Sequence, residues 1–182
     1  EILALTFTNK AAREMSERVE RLLGGTRVQV STFHRFCSRL LRVYPDHVGL
    51  KDNFTILDSS DQSQLVRKIM KQIGFDTVMH EPRRVLNRIS KARNELVSAD
   101  AFRRRYEERV GDPLDAVVYE VFPEYEQRLL QQNAVDFDAL LLHVVDLLAD
   151  SDKLREVLDT QFRFVLVDEY QDTNTSQYMM VK

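Results

Sequence analysis

Apolar residues recur at helical spacing along most of this 182-residue chain. In the first such segment Ala12, Met15, Val19 and Leu22 stand three or four positions apart, which is typical of the packed face of an amphipathic helix. Residue types that begin and end helices flank these segments, such as the glycine pair at 24–25. The pattern predicts helices at about 9–23, 33–43, 59–73, from 82, 99–110, 113–132, from 136 through 148, from 152, and after 172.

Three short apolar runs interrupt the helical pattern, at residues 2–7, 27–31 and 164–167. Helices follow the first two runs, so the three runs predict a parallel α/β sheet. The third run is rich in β-branched residues and predicts a strand buried within the sheet. Residues 44–161 show helices alone, and Pro123 is expected to kink or split the helix that contains it. The predicted class is therefore α/β, with a partial parallel sheet that carries a large all-helical insertion. The chain as a whole is predicted to be predominantly helical.

Composition narrows the class of protein. The chain has one cysteine, which excludes an internal disulfide framework and fits a reducing cytoplasm. No apolar run approaches the roughly 20 residues that a membrane-spanning helix needs, so we expect no membrane association. The first residues lie in a predicted strand and the last in a predicted helix, which favours an internal piece of a longer protein.

The net charge of −3 is unevenly distributed, because residues 1–105 carry +8 and residues 106–182 carry −11. A basic half of this kind is typical of a surface that meets phosphates, and equally of ordinary solvated helix faces. The same alternatives apply to the cations at 83, 84, 88, 91 and 93.

The third apolar run stops at Asp168 and Glu169. Ligands of open α/β sheets bind at the carboxyl ends of the strands, and Mg²⁺ in nucleotide sites takes one or two carboxylates together with phosphate oxygens. Asp168 is therefore a candidate Mg²⁺ ligand, and Glu169 a candidate base for an attacking water. The pair resembles the Walker B half of an ATPase, yet the sequence contains no glycine-rich loop ending in Gly-Lys-Ser/Thr.

Two predicted strand-to-helix turns carry aromatic and polar residues, Phe7-Thr8-Asn9 and Thr32-Phe33-His34. Free N–H groups at a helix start hold phosphates, and exposed rings stack on bases. The same residues are also typical of helix caps (Thr8 or Asn9), of a core aromatic (Phe7) and of a surface polar residue (His34). Their repetition at two strand ends favours a single-stranded nucleic-acid path.

Four segments carry a resemblance to a known family. Residues 6–12, 32–34, 135–141 and 167–174 closely resemble, in order and spacing, four motifs of the UvrD/Rep/PcrA helicases of superfamily 1. The resemblance covers essentially the whole chain. It implies a bacterial 3′→5′ ATP-dependent DNA helicase or translocase of the cytoplasm and nucleoid, which uses ATP and Mg²⁺ and acts on single-stranded and forked DNA in repair or replication.

The resemblance also implies a domain division and roles for single residues. Residues 1–43 and 162–182 correspond to a partial RecA-like lobe of a P-loop NTPase, called 1A, and residues 44–161 to the helical 1B insertion. Asp168 and Glu169 are implied to bind the nucleotide with its Mg²⁺, and Glu169 to act as the catalytic base. Gln171 and Asp172 are implied to couple hydrolysis to the second lobe and to the DNA. The implied DNA contacts are Phe7, Thr8, Asn9, Thr32, Phe33, His34, Asp136 and Phe137, although Asp136-Phe137 is equally typical of a helix cap with a core ring.

The family's phosphate loop is expected before Glu1, and its second lobe after Lys182. We therefore expect the chain alone to hydrolyse no ATP and to hold no cofactor. Two alternatives remain at this point, a non-catalytic nucleic-acid or protein interaction module and a subunit of a helicase–nuclease. A three-stranded sheet without neighbouring strands predicts a poorly ordered, strand-swapped or dimeric α/β part.

Overall fold

The computed structural model describes residues 1–24, 28–108 and 112–182. The predicted strand start at Arg27, the second glycine of the pair at 24–25 and the predicted helix end at Val110 lie outside these ranges. Helices dominate the described residues, and the strands are short. The strands are β1 (Ile2–Thr6), β2 (Val28–Thr32), β3 (Thr55–Ile56), β4 (Ala134–Val135) and β5 (Phe164–Val167).

The helices begin close to where the sequence places them. Thr8, Thr32, Asp58, Ser98, Asp112, Asp136, Ser151 and Asn174 each cap a helix through a side-chain oxygen. The helices are α1 (Asn9–Leu23), α2 (Phe33–Val43), α3 (Ser59–Ile73), α4 (Pro82–Asn94), α5 (Ala99–Glu107), α6 (Pro113–Gln131), α7 (Phe137–Asp150), α8 (Asp152–Gln161) and α9 (Thr175–Val181).

The main sheet has the strand order β2-β1-β5, and all of its pairings are parallel. In this register Thr6 lies opposite Thr32, and Leu5 lies opposite Val167. The three strands therefore end at one edge of the sheet. The predicted parallel sheet is confirmed, and its carboxyl edge carries the residues that follow each strand.

The prediction that residues 44–161 are all-helical is wrong in one detail. Within this range β3 pairs in parallel with β4. Each strand has two residues, which is too short to produce an alternating pattern in the sequence. The pairing brings together segments almost 80 positions apart and places Asn133 beside Lys51, whose backbone N–H donates to the Asn133 side chain at 2.8 Å.

Pro123 does not split its helix. The structure has one continuous α6 from Pro113 to Gln131 with Pro123 inside it. Val121, Phe122 and Tyr125 on either side of the proline are fully buried. Their packing holds the helix together although the proline removes one backbone hydrogen bond.

Among the residues that the structure describes, the buried apolar side chains form two clusters. One joins β1, α2, α7 and α8 with Leu50 and Phe54, and Val135 of β4 belongs to it. The other joins α3, α4, α5 and α6. Helices α7 and α8 thus pack with the sheet, and α3–α6 form a helical unit with its own core. Of the described helices, none is both long enough and apolar enough to cross a bilayer.

The third strand is more exposed than the sequence predicts. Phe164 and Leu166 of β5 are 65% and 58% exposed, and Val165 is 41% exposed. The apolar run predicted a strand covered on both faces, as in a complete doubly wound sheet. Among the described residues β5 is an edge strand that pairs with β1 alone.

We expect the chain to associate with itself through this apolar edge, because unpaired strand edges template pairing. Light scattering should give a mass above the single-chain 21.3 kDa at high protein concentration. Leu166→Lys places a charge on the edge and should restore the single-chain mass. A single-chain mass for the unaltered protein at every concentration would contradict the prediction.

Candidate nucleic-acid groove and acidic strand end

The predicted DNA contacts converge on a cleft at the carboxyl edge of the main sheet. The cleft has a volume of about 350 Å³. Five of the eight predicted contacts line it, namely Phe7, Asn9, Thr32, His34 and Phe137. We call this cleft the groove. Its further lining residues are Arg35, Ser38, Arg39, Ile56 and Leu140.

The register of the sheet explains this convergence. Because Thr6 lies opposite Thr32, the turn after β1 and the turn after β2 stand side by side. Phe7 follows the first strand, and His34 lies in the first turn of α2. The start of α7 lies against α2 and contributes Phe137, whose ring meets that of His34.

Aromatic rings form one wall of the groove. The rings of His34 and Phe137 meet edge to face, with their centroids 5.3 Å apart. Phe137 is 45% exposed, so its ring is available to a base. This edge-to-face pair presents a rigid apolar surface beside polar groups, as base stacking requires.

Phe33 is placed differently from its prediction. Its side chain is 1% exposed and lies in the core, with its ring 5.5 Å from that of Phe7. A ring in this position cannot stack on a base. We therefore correct its role to that of a support beneath Phe7, which is partly buried and lines the groove.

The hydroxyls of Thr8 and Thr32 serve as helix caps. Thr8 Oγ1 accepts the N–H of Ala11 at 3.0 Å, and Thr32 Oγ1 accepts the N–H of Arg35 at 3.3 Å. Thr8 is exposed beside the groove without lining it, and Thr32 is buried at its floor. The two hydroxyls complete helix N-termini, where backbone N–H groups face outward and can hold a phosphate.

Asp136 is also buried, with 2% of its surface exposed. Its Oδ1 accepts the N–H of Ala139 at 2.7 Å, and its Oδ2 accepts hydrogen bonds from Arg93 and from the Tyr125 hydroxyl. A carboxylate with these bonds does not touch DNA, so its prediction as a contact is corrected. The helix-cap alternative holds for Asp136, while Phe137 projects into the groove rather than into the core.

Burial favours the neutral form of the His34 imidazole. Burial lowers the pKa of its imidazole below the usual value, and the nearby Asp138 carboxylate opposes this only in part. The cations of the groove are therefore Arg35 and Arg39, one helical turn apart on α2 and both exposed. These two residues were not among the predicted contacts, although their spacing of four on the helix that begins at Phe33 was a usable signal.

A second, more basic cleft of about 670 Å³ continues from the groove along α1. It shares Asn9, Thr32 and Arg35 with the groove and adds Lys10 and Arg13. Lys10 and Arg13 form long ion pairs with Glu14 and Glu17 on the same exposed face. Such exposed pairs hold little energy and leave the cations available to phosphates.

The basic run of α4 presents a smaller charge to solvent than its sequence indicates. Arg88 binds both carboxylate oxygens of Asp115, at 2.7 and 3.1 Å, and Arg93 is buried. Arg83, Arg84 and Lys91 remain exposed. Three of these five cations therefore lie on a solvated helix face, and the other two, Arg88 and Arg93, form ion pairs within the protein.

The acid pair lies at the same edge of the sheet, on the other side of β1. The Asp168 N–H donates to the carbonyl of Leu5 at 2.9 Å, and Thr6 Oγ1 donates to Asp168 Oδ2 at 3.3 Å. Asp168 and Glu169 are both exposed. Thr6 thus lies between the groove and the acid pair. It pairs with the groove residue Thr32 on one side and contacts Asp168 on the other.

Glu169 turns the chain sharply after the strand. Its φ of 49° is a left-handed conformation that non-glycine residues adopt uncommonly. A 3₁₀ turn follows at Tyr170–Asp172, in which the Asp172 N–H donates to the Glu169 carbonyl at 2.8 Å. The Gln171 amide donates to the Glu169 carboxylate. The structure therefore brings Gln171 and Asp172 to Glu169.

The carboxylates at this edge of the sheet suit a Mg²⁺ ion that has further ligands from a nucleotide and water. Among residues 1–24, 28–108 and 112–182 no group of three metal-binding side chains is found. Asp168 and Glu169 alone supply too few ligands for an all-protein site, whereas Mg²⁺ in nucleotide sites takes one or two carboxylates, and water and phosphates supply the rest. The residues fit a metal that arrives with a nucleotide.

The chain is similar to known proteins over its whole length. Residues 1–182 match the family described as the UvrD/REP helicase N-terminal domain. The chain belongs to this UvrD/REP family. The family match thus spans both the groove and the acid pair.

Similar full-length proteins share the whole of this UvrD/REP domain. The chain is 42% identical over 183 residues to the ATP-dependent DNA helicase PcrA of Bacillus subtilis and 39% identical over 184 residues to PcrA of Staphylococcus aureus. It is 43% identical over 186 residues to the ATP-dependent DNA helicase UvrD1 of Mycobacterium leprae. All of the chain is covered in each comparison, and it spans 24% of the length of these relatives.

Proposed function

We propose that this chain provides the single-stranded DNA groove and the acidic half of the ATP site of a 3′→5′ DNA helicase or translocase. One observation carries the proposal: the groove and the acid pair occupy the same edge of one three-stranded sheet, on either side of Thr6. A sheet that holds both sites transmits changes at the nucleotide to the DNA over a short distance. The names of the relatives, ATP-dependent DNA helicases, support this assignment.

In this proposal Asp168 holds Mg²⁺ and Glu169 orients and deprotonates the attacking water. Bound ATP with Mg²⁺ supplies the phosphoryl group that is transferred to water. Gln171 and Asp172 couple the nucleotide site to the second lobe and to the DNA. The side chain of Gln171 is hydrogen-bonded to Glu169. The sequence lacks the loop that cradles phosphates, so we expect the chain alone to hydrolyse no ATP.

We further propose that residues 1–43 and 162–182 act as part of a RecA-like lobe and that residues 44–161 are its helical insertion. The separate core of α3–α6 supports an insertion with its own stability. Helices α7 and α8 share the core of the sheet, so the unit with a core of its own consists of α3–α6. The cytoplasm and its DNA are the proposed place of action.

The groove is tested by DNA binding of this chain. Phe137→Ala and His34→Ala should each weaken binding of a fluorescent single-stranded oligonucleotide by about 5- to 160-fold, because a base–aromatic contact contributes about 1–3 kcal/mol. Fluorescence anisotropy at low salt measures the affinity. The matched control is Phe164→Ala, which removes an exposed ring of β5 outside the groove and should leave the affinity unchanged.

Salt dependence separates phosphate contacts from stacking in the same assay. Affinity should fall linearly with the logarithm of salt concentration, and Arg39→Ala should reduce that slope by about 0.7. Phe137→Ala should leave the slope unchanged because it removes no charge. Equal affinities for the unaltered chain and all groove variants would argue against the groove as the DNA site.

A second candidate function is a nucleic-acid interaction module without catalysis. The observation that favours it is the open basic cleft along α1, which requires no nucleotide to hold phosphates. A protein that contains this chain and binds DNA yet shows no DNA-stimulated ATP turnover would support this alternative. A nuclease domain in such a protein would instead indicate a helicase–nuclease subunit.

A further inference from the structure

The last turn of α4 contacts two segments that belong to different sites. Arg93 Nη1 donates to Asp136 Oδ2 at 2.5 Å, just before the groove residue Phe137. Its neighbour Asn94 accepts a hydrogen bond from Asn174 Nδ2 at 2.7 Å, and Ser176 Oγ donates to the Arg93 carbonyl at 3.5 Å. The residues that follow the acid pair thus hold the end of α4, and the end of α4 holds the start of α7.

Asp136 transmits this contact to the groove. One of its oxygens caps α7 through the Ala139 N–H, and the other accepts from Arg93 and from the Tyr125 hydroxyl at 2.8 Å. With both oxygens bound, the direction in which α7 leaves the cap is determined. Phe137 is the first residue of α7, and its ring meets that of His34.

The surroundings of Arg93 suit a planar guanidinium. The Arg93 side chain is 3% exposed, and the rings of Tyr125 and Phe122 lie 5.4 and 5.5 Å from its central carbon. Glu126 accepts from Nη2 at 3.5 Å, while Nε has no hydrogen-bond partner among the described residues. A lysine carries the same charge but lacks the flat, forked geometry that this site accommodates.

A buried ion pair is a weak source of net stability, because desolvation of the two charges offsets their attraction. Its directional hydrogen bonds nevertheless define one geometry, whereas an apolar contact tolerates several. This physical difference points to a geometric role for the pair at the start of α7.

We propose that Arg93 is a positioning residue of the groove, which orients the Asp136 cap and thereby the Phe137 ring against His34. That this geometry matters for DNA rests on the proposed function. The geometry itself can be measured without DNA.

The chain contains no tryptophan, so Phe137→Trp introduces a single fluorescent reporter into the groove. In this background Arg93→Lys should shift the emission maximum to longer wavelength, because the ring leaves its contact with His34. It should also weaken the binding of single-stranded oligothymidine about tenfold, because a displaced ring loses part of the energy of one base–aromatic contact. Asp136→Asn keeps a cap acceptor, removes the charge, and should produce the same two changes.

Arg88→Lys is the matched control. Arg88 lies on the same helix and binds Asp115 through two hydrogen bonds, away from the groove. This variant should leave both the emission and the affinity unchanged. His34→Ala in the Phe137→Trp background should reproduce the emission shift by removing the opposing ring.

A purely structural role gives a different result. If Arg93→Lys and Asp136→Asn lower the urea midpoint of unfolding but leave emission and oligonucleotide affinity unchanged, the positioning role is overturned. If the emission shifts in both variants while the unaltered chain binds no single-stranded DNA, the positioning role stands and the proposed function of the groove fails. Helix content from circular dichroism identifies any variant that is unfolded, and the other variant then carries the test.

Discussion

Replacement of Glu169 by Gln is expected to lower ATP turnover by about 10²- to 10⁴-fold in a protein that joins this chain to a phosphate loop and a second lobe. This is the range that a positioned general base contributes. Gln keeps the size of the side chain and its contact with Gln171, but it cannot accept the proton of the attacking water. ATP affinity should change little, because the proposed metal ligand Asp168 is unaltered.

Steady-state phosphate release measures turnover, and a fluorescent nucleotide measures binding. Glu156→Gln is the matched control, since Glu156 is an exposed carboxylate on α8 away from the edge of the sheet. It should leave both quantities unchanged. Unchanged turnover in Glu169→Gln would exclude Glu169 as the base.

Replacement of Arg93 by Met is expected to lower the free energy of unfolding by about 3–5 kcal/mol, because it leaves the Asp136 carboxylate buried without its cation. Burial disfavours the charge on Arg93, yet the Asp136 and Glu126 carboxylates outweigh this effect and raise the pKa of the guanidinium. Burial raises the pKa of Glu126, and Arg93 opposes that rise. The cluster is therefore stable only while its cation is present.

Urea unfolding of the chain measures this loss. Arg88→Met breaks a pair of the same chemistry that is partly exposed, and it should cost about 1 kcal/mol or less. If Arg93→Met cost no more than Arg88→Met, the buried pair would be no more important than a surface contact.

Much of the fold follows from local signals in the sequence. Short polar residues before apolar periodic segments predicted the helix starts, including the caps at Thr8, Thr32 and Asp136. Three apolar runs predicted the sheet, and the residues after them predicted its functional edge. These signals are local because a cap or a strand end is formed by neighbours in the chain.

The structure differs from the sequence-based predictions where these depend on which face of a helix or strand is covered by other elements. Phe33 and Phe137 are both aromatic residues in the first position of a helix, yet one is 1% and the other 45% exposed. Likewise the apolar run of β5 indicated a covered strand, while the described residues leave it at the edge of the sheet. Which face of an element is covered depends on elements far away in the sequence.

By itself, the sequence determined the types of the longer elements, the order of the motifs and the chemical character of the sheet edge. Only the tertiary structure decided which polar residues face a ligand and which hold the fold. Arg93 and Asp136 stand 43 positions apart, and each resembles an ordinary surface charge in its own segment. The physical reason is that a charge is solvated or paired according to what packs against it, and packing is a property of the folded chain as a whole.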